Sequence, residues 1–487
     1  MSRKVNTVQP VGDASPASAG EVGARREVLA SDEAPKRRRT AVVQDGSLLR
    51  DVFGTYGTRV VNIGLSMITG IITARMLGPH KRGIFALVYL FASTVVTFGK
   101  LGLSQASVYS IRRDRIPPER VAANALFVSL ALGGTLALTA WVFREHLLAT
   151  FLRGVPVWAV VVSLPLIPVL LFESYFNAII QALGQFSLYN RRLMIGTASL
   201  VAGMFLFLVV IRGDLEAAIL VVTLNPIVMD IWLLVTVWSM LRMKLRLDLG
   251  LLGRELRFGI KSHVQVLAQH LHLRADVYLV AYFLNPSEVA FYVMAVRLAE
   301  FMLDIPRSVG MVLYPRLASL DDREMHRLSA QGCRRTLLVT SCAAVAISLI
   351  GPLLIVLWYG RAYAPAAKPL PFISMGIVMM SVLVLLTQTF TSRGKQQINI
   401  AVGSVALIGN LGLNLFLIPT MGIVGAALAS AISYSVAACL LIFLFLRESK
   451  LPISEVLIPQ RDDFRFFARL VSRATERGRQ LALRWAA

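Results

Sequence analysis

Apolar runs of bilayer-crossing length recur along this chain, at about 52–77, 82–108, 121–143, 157–180, 193–212, 216–240, 257–283, 288–313, 334–358, 367–391, 398–418 and 422–446. A helix needs about 20 residues to span the hydrocarbon core, and inside lipid only helices and closed barrels satisfy every backbone group. Runs of this length predict an all-α polytopic membrane protein with about twelve transmembrane helices. Composition agrees, because 487 residues that are 56% hydrophobic and only 16% charged do not make an ordinary soluble domain. The mean hydropathy of +0.65 points the same way.

The net charge of +22 does not indicate nucleic acid, since Lys and Arg are spread over short loops and tails instead of one basic face. Anionic membrane lipid is the partner such a distribution fits. With the first run leaving the cytoplasm, inner loops hold eighteen Lys and Arg, Arg191 and Arg192 among them, and outer loops seven, which puts both termini in the cytoplasm. Residues 1–47, including Lys36, Arg37, Arg38 and Arg39, lack an apolar core and are expected to be a disordered cytoplasmic tail. The isolated Cys333, Cys342 and Cys439 form no metal or disulfide spacing, and no enzyme motif or phosphate-cradling glycine loop is present, so neither cofactor nor catalysis is expected.

The chain repeats itself. Leu77 and Pro79 align with Leu284 and Pro286, and Leu208–Ile211 with Leu415–Ile418, both at an offset of 207. Six helices per copy bring the second copy in with the same orientation, a parallel repeat about the membrane normal. This predicts six-helix lobes at 48–240 and 257–446, a cytoplasmic linker at 241–256 and a cytoplasmic tail at 447–487, with a central cavity between the lobes. In that tail Arg465, Arg469, Arg473 and Arg477 share one helical face, and Phe464, Phe467, Val471 and Ala474 the other, a pattern suited to the inner leaflet.

Charge inside the apolar runs marks the candidate site. Across 257–316, Lys261, Gln265, Gln269, His272 and Asp276 fall on one helical face, with His263, His270 and Arg274 opposite. In the next helix Arg297, Glu300, Asp304 and Arg307 stack along one stripe. A charge at mid-bilayer costs roughly 2.5–3.5 kcal/mol even on lenient scales, so these groups should face a hydrated interior. Arg59 and Asn62 on the first helix and Lys100 on the second join polar stripes of the same kind, whereas Arg75 reads as an interfacial anchor. Glu173 and Asp230 fit either a buried pair with an arginine or a functional role.

The segments LGPHKRGIFALVYLFASTVVTFGKLGL, RADVYLVAYFLNPSEVAFYVMAVRLAEFMLDIPRSVGMVLYPRLASL and GNLGLNLFLIPTMGIVGAALASAISYSV resemble the oligosaccharide flippase (Wzx-like, polysaccharide biosynthesis) family of the MOP transporter superfamily, over about 50–446. Asn285 and Ala290 stand where that family usually has glycine. The resemblance implies a flippase moving an undecaprenyl-pyrophosphate glycan across the bacterial inner membrane by alternating access, beside the glycosyltransferases and polymerase of its pathway. Chemistry gives roles to match, because a pyrophosphate leaving water needs fixed cations and a glycan needs amides and hydroxyls. Arg59, Lys100, Lys261, Arg274, Arg297 and Arg307 would serve the first, and Asn62, Gln265, Gln269 and His272 the second. Asp276, Glu300 and Asp304 would bind a coupling cation or balance the arginines. A cation-coupled multidrug or lipid II exporter and a non-transporting scaffold are the competing readings.

Overall fold

The computed structural model describes residues 45–469, 472 and 476, and leaves the side chains of 45–56, 59, 261, 262 and 265 undescribed. The chain divides into units 1–49 and 50–487, and every helical run of membrane-crossing length belongs to the second. Every regular element among the described residues is a helix.

Nine helical runs among the described residues are long and apolar enough to cross a membrane. One of them, Val60–Gly99, is two helices. Within helix α1 (Asp45–Gly99) the backbone leaves helical geometry at Gly78, φ 68 and ψ 174, and Pro79 opens a second arm. A residue with a Cβ is strained at that φ, and proline is suited to a first helical turn because it has no N–H to satisfy. Two more segments have the length but are too polar to qualify by composition: α9 (Leu249–Phe283), and α10 (Pro286–Glu300) continued through a 3₁₀ turn into α11 (Asp304–Ser319). The total is the expected twelve. At the repeat-related junction the turn is solved differently: Asn285 is extended and its side chain accepts the Glu288 N–H at 3.2 Å, so a capping residue replaces the left-handed glycine.

In the N-terminal half, the second arm of α1 stops at Gly99 and resumes as α2 (Leu103–Arg112), followed by α3 (Pro118–Val142), α4 (Arg144–Thr150), α5 (Val157–Ser163), α6 (Leu166–Ala182), α7 (Phe186–Met204) with a π turn to Val210, and α8 (Leu215–Leu241). In the C-terminal half α9, α10 and α11 precede α12 (Asp322–Tyr359), α13 (Leu370–Ser392), α14 (Gln396–Met421), α15 (Ile423–Ser449) and α16 (Ile453–Leu457). Helix α9 begins inside the stretch expected as a linker, its first turn held by Asp248, which accepts the Leu251 N–H. The end of the bundle bearing Gly184 and Gly394 is called inner and the end bearing Gly78 and Gly360 outer.

The halves meet along a seam between the second arm of α1, with α2, and the antiparallel α9. The Tyr278 hydroxyl donates to Leu90 O at 3.2 Å, Thr94 Oγ1 lies 2.9 Å from His270 Nε2, and His263 Nε2 lies 3.1 Å from Phe98 O. Farther inward Tyr109 stacks on Phe258 at 4.4 Å. His263 and His270 thus face a helix of the other half, which explains a polar face on α9 that lipid would reject.

At the outer end the closure is tighter. Arg75, expected as an interfacial anchor, instead donates to Leu357 O and Trp358 O (2.5 and 2.8 Å), the terminal carbonyls of α12. Arg153 donates to Tyr282 O near the end of α9 at 3.0 Å, with its guanidinium 4.4 Å from the Tyr282 ring, and the Tyr363 hydroxyl donates to Ala74 O at 3.0 Å. A guanidinium at a helix C-terminus satisfies orphan carbonyls and opposes the helix dipole. These contacts tie the two halves together at the outer end.

Gly102 and Gly259 bring the two backbones into contact near the inner end, where a Cβ on Gly259 would sit 2.7 Å from Leu101 O. Gly259→Ala is expected to destabilise the protein by about 1–3 kcal/mol through overpacking, read as a lower thermal midpoint in detergent. An unchanged midpoint would mean that this contact is not maintained.

Past α15 the chain docks on the inner end of α12. Asp463, fully buried, takes Arg334 (Nε and Nη2) and Arg335 (Nε, 2.9 Å), and Arg334 Nη1 donates to Glu455 O at 2.7 Å. Burial works against the Asp463 carboxylate, but the two guanidiniums and the Gln460 N–H prevail and hold its proton affinity below the usual carboxylate range. Arg465 and Arg469 are exposed as their face requires; Val471, Arg473, Ala474 and Arg477 lie outside the described residues.

Candidate functional site

A cavity of about 690 Å³ is walled by residues of the N-terminal half. The second arm of α1 contributes Tyr89, Ser93, Thr97 and Lys100, α2 contributes Ser104 and Gln105, and α6 contributes Glu173, Ser174, Asn177 and Gln181. Spacings of three or four residues put Tyr89, Ser93, Thr97 and Lys100 on one helical face and Glu173, Asn177 and Gln181 on another, so the sequence pattern generates most of the wall directly. Ser104 Oγ and Ser174 Oγ lie 3.0 Å apart and pin α2 to α6.

Lys100 occupies a break in its helix. Between Gly99 and Leu103 the chain passes through Leu101 at φ 47 and Gly102 at φ 71. The freed carbonyls of Gly99 and Lys100 are capped by the Tyr175 hydroxyl at 3.3 and 3.2 Å. Irregular backbone at membrane depth is tolerated where it lines a cavity, and here it delivers an ammonium into one. The flanking glycines of the stretch Gly99-Lys100-Leu101-Gly102 signal such a break, which reading 82–108 as one uninterrupted run passed over.

Glu173, itself part of the wall, accepts from Arg192 Nη1 at 3.0 Å, and behind it Arg192 Nη2 pairs with Asp230. Arg192, counted among the inner-loop cations on sequence, is 5% exposed and lies among the helices. The second polar cluster belongs to the C-terminal half. Arg297, Glu300, Asp304 and Arg307 line a cavity of about 190 Å³ with Ile63 and Phe301, and the 3₁₀ turn Phe301–Leu303 interrupts the helix in the middle of their stripe. Arg274 engages Glu300 through both guanidinium nitrogens at 3.2 and 3.5 Å, and Arg307 lies 4.0 Å from Asp304. Arg297 is exposed, 5.9 Å over the Phe301 ring, and within electrostatic reach of Tyr89 in the large cavity. His270, within electrostatic reach of both Lys100 and Arg274, likewise lies between the two clusters.

The remaining candidates lie elsewhere. Asp276 accepts from the Tyr292 hydroxyl at 2.6 Å and from Ser430 at 3.4 Å, deep among α9, α10 and α15, while Arg274 goes to Glu300. His272 faces Tyr434, ring centres 5.0 Å apart. Asn62 is buried and donates to Thr58 O at 3.0 Å, and Gln269 is exposed. The side chains of Arg59, Lys261 and Gln265 lie outside the described residues. Tyr89, Gln105, Ser174 and Arg192 belong to the site or its support and were not singled out for it on sequence.

A model of the family described as "Polysaccharide biosynthesis protein" matches residues 72–368. The chain belongs to the polysaccharide biosynthesis protein family. Among curated relatives, the probable low-salt glycan biosynthesis flippase Agl15 of Haloferax volcanii is 22% identical, over 80% of this chain and 81% of that one. The probable flippase AglR of the same organism is 24% identical over 34% of this chain, and the match spans only 36% of AglR. Among solved structures, the lipid II flippase MurJ in its inward closed conformation superposes with a TM-score of 0.68 at 15% identity, covering 82% of this chain and 90% of that one. At that identity the likeness establishes the fold, and this member of the polysaccharide biosynthesis family is a multi-pass membrane protein that shares it.

Proposed function

We propose that this chain is not an enzyme but a flippase, which moves an undecaprenyl-pyrophosphate-linked oligosaccharide from the cytoplasmic to the periplasmic leaflet of the bacterial inner membrane by alternating access between six-helix lobes. The observation that carries this reading is the composition of the large cavity: hydroxyls, amides, Tyr89 and Tyr189 around the ammonium of Lys100, with the carboxylate of Glu173 held by Arg192. Such a wall suits a glycan with an anionic group. Arg297 and Arg307 supply cations toward the same interior and hold the pyrophosphate together with Lys100, Arg59 and Lys261. Arg274 acts through Glu300. Asn62, Gln265, Gln269 and His272 extend the polar path, Asp304 balances Arg307, and Asp276 takes a coupling cation or proton. The names of the curated relatives support a glycan substrate. Both termini are cytoplasmic, the docked tail rests on anionic lipid, and the glycosyltransferases and polymerase of the pathway supply and consume the cargo.

Deleting the chain from its host separates this reading from drug export. The expected result is loss of surface glycan with accumulation of its lipid-linked precursor in membrane extracts, and unchanged sensitivity to cationic drugs. Normal glycan with heightened drug sensitivity would contradict the proposal in favour of the exporter.

A further inference from the structure

Behind Lys100, two acids converge on one guanidinium. Arg192 bridges Glu173 on α6 and Asp230 on α8, and both Arg192 and Asp230 have almost no exposure, with side chains 6% and 7% accessible. One oxygen of Asp230, Oδ2, is buried with no hydrogen-bond partner among the described residues. A charged oxygen in such surroundings is costly, and a proton relieves the cost without new neighbours. The ionisable groups around the pair are few. From α7 there are Arg192 and Tyr189, with Arg191 turned to Trp232; from α6 there is Tyr175, held by the carbonyls of Gly99 and Lys100; from the second arm of α1 there are Tyr89 and Lys100, which lines the same cavity as Glu173 and lies within its electrostatic reach; His270 of α9 lies beyond Lys100, and Arg297 beyond Tyr89. Helix α3, packed along α6, has only Glu119 and Arg120, at its inner end, and α2 ends in Arg112.

The charges close in an instructive way. With Glu173 and Asp230 ionised, Arg192 and Lys100 balance them. An anion that takes Lys100 leaves the two acids with Arg192 alone, one positive charge short, and a proton restores neutrality. We infer that Glu173 and Asp230 share a binding site for one proton, whose occupancy is set by whether the charge of Lys100 is available to them. The proton comes from water at the inner end, forms an O–H bond on Asp230 Oδ2 or shifts within the pair, and breaks no other bond. Thermodynamic reciprocity then makes acid tighten the binding of an anionic ligand, and ligand binding load the proton. Only the identity of the anion rests on the flippase reading; the link between Lys100 and the acid pair does not.

Lys100→Gln removes the ammonium permanently and imitates the anion-loaded state, so the pair can be tested without a substrate. The full chain in nanodiscs at neutral pH, examined by infrared spectroscopy as a difference spectrum, is expected to show the carbonyl stretch of about one more protonated carboxyl in Lys100→Gln than in wild type. The band should vanish in Lys100→Gln/Asp230→Asn and in Lys100→Gln/Glu173→Gln. In both, Arg192 keeps one acid, so folding is retained, as a monodisperse gel-filtration peak would show. A Lys100→Gln spectrum equal to wild type, or a band that survives in both double variants, overturns the inference. Inorganic pyrophosphate added to wild type should induce the same band. If it does not while Lys100→Gln shows the band, the proton site stands and the assignment of the cavity to a pyrophosphate fails.

Discussion

Arg192→Leu is expected to remove most of the folded protein from the membrane. The substitution deletes the guanidinium that holds the buried carboxylate of Asp230 and the partly exposed one of Glu173, the latter at 3.0 Å. Stranding a buried charge costs about 3–5 kcal/mol, a large part of a typical folding free energy of roughly 5–15 kcal/mol. Abundance, followed as the monodisperse peak of a fluorescent fusion, should fall by roughly tenfold or more. Adding Glu173→Gln and Asp230→Asn should bring it back, since a neutral triad of similar shape is often tolerated as well as an ionic one. Wild-type abundance in Arg192→Leu alone would mean that the acids are protonated already, or that water reaches them.

The second large effect separates two arginines of the C-terminal half. Arg297 is exposed to the interior and rests on Phe301 rather than on an acid, whereas Arg274 is engaged with Glu300. Truncating a charge that grips a ligand costs about 2–5 kcal/mol, so Arg297→Ala should lower glycan export by about 100-fold or more at unchanged abundance. Arg297→Lys should recover only part, because an ammonium lacks the planar fork that takes two phosphate oxygens. Arg274→Ala should act through stability instead: the protein falls in amount, and Glu300→Gln restores it. Equal loss of abundance in both single variants would place Arg297 among the structural residues.

Much of the fold was legible because helix length and apolarity are properties of local sequence. The twelve crossings, the reversal before Pro79 and Pro286, and the offset of 207 between the halves follow from runs, prolines and repeated letters. Family resemblance was legible for the same reason, carried by motifs around those turns. What escaped depends on partners far away in sequence. Arg75 looked like an anchor because nothing local indicates that the carbonyls of α12 end beside it. Arg192 looked like a loop cation because only tertiary structure brings it to Asp230, 38 residues on. Asp463 was overlooked beside a row of arginines, yet it is the acid that docks the tail. On the candidate site, the stripe Arg297, Glu300, Asp304 and Arg307 is gathered on one cavity as its spacing implies. Helical periodicity could not tell that Arg274 reaches Glu300 while Asp276 turns into the bundle, since both lie on one helix and their partners on others.

The most direct measurement is translocation itself. Purified protein is reconstituted into vesicles with a labelled polyprenyl-pyrophosphate oligosaccharide, and an enzyme that trims the glycan is added outside. Wild type should expose the inner-leaflet fraction to trimming within the assay, Arg297→Ala should leave it protected at equal protein content, and Gly259→Ala should be intermediate. Protection of the inner-leaflet pool with wild type, or trimming as fast with Arg297→Ala as with wild type, would contradict the account.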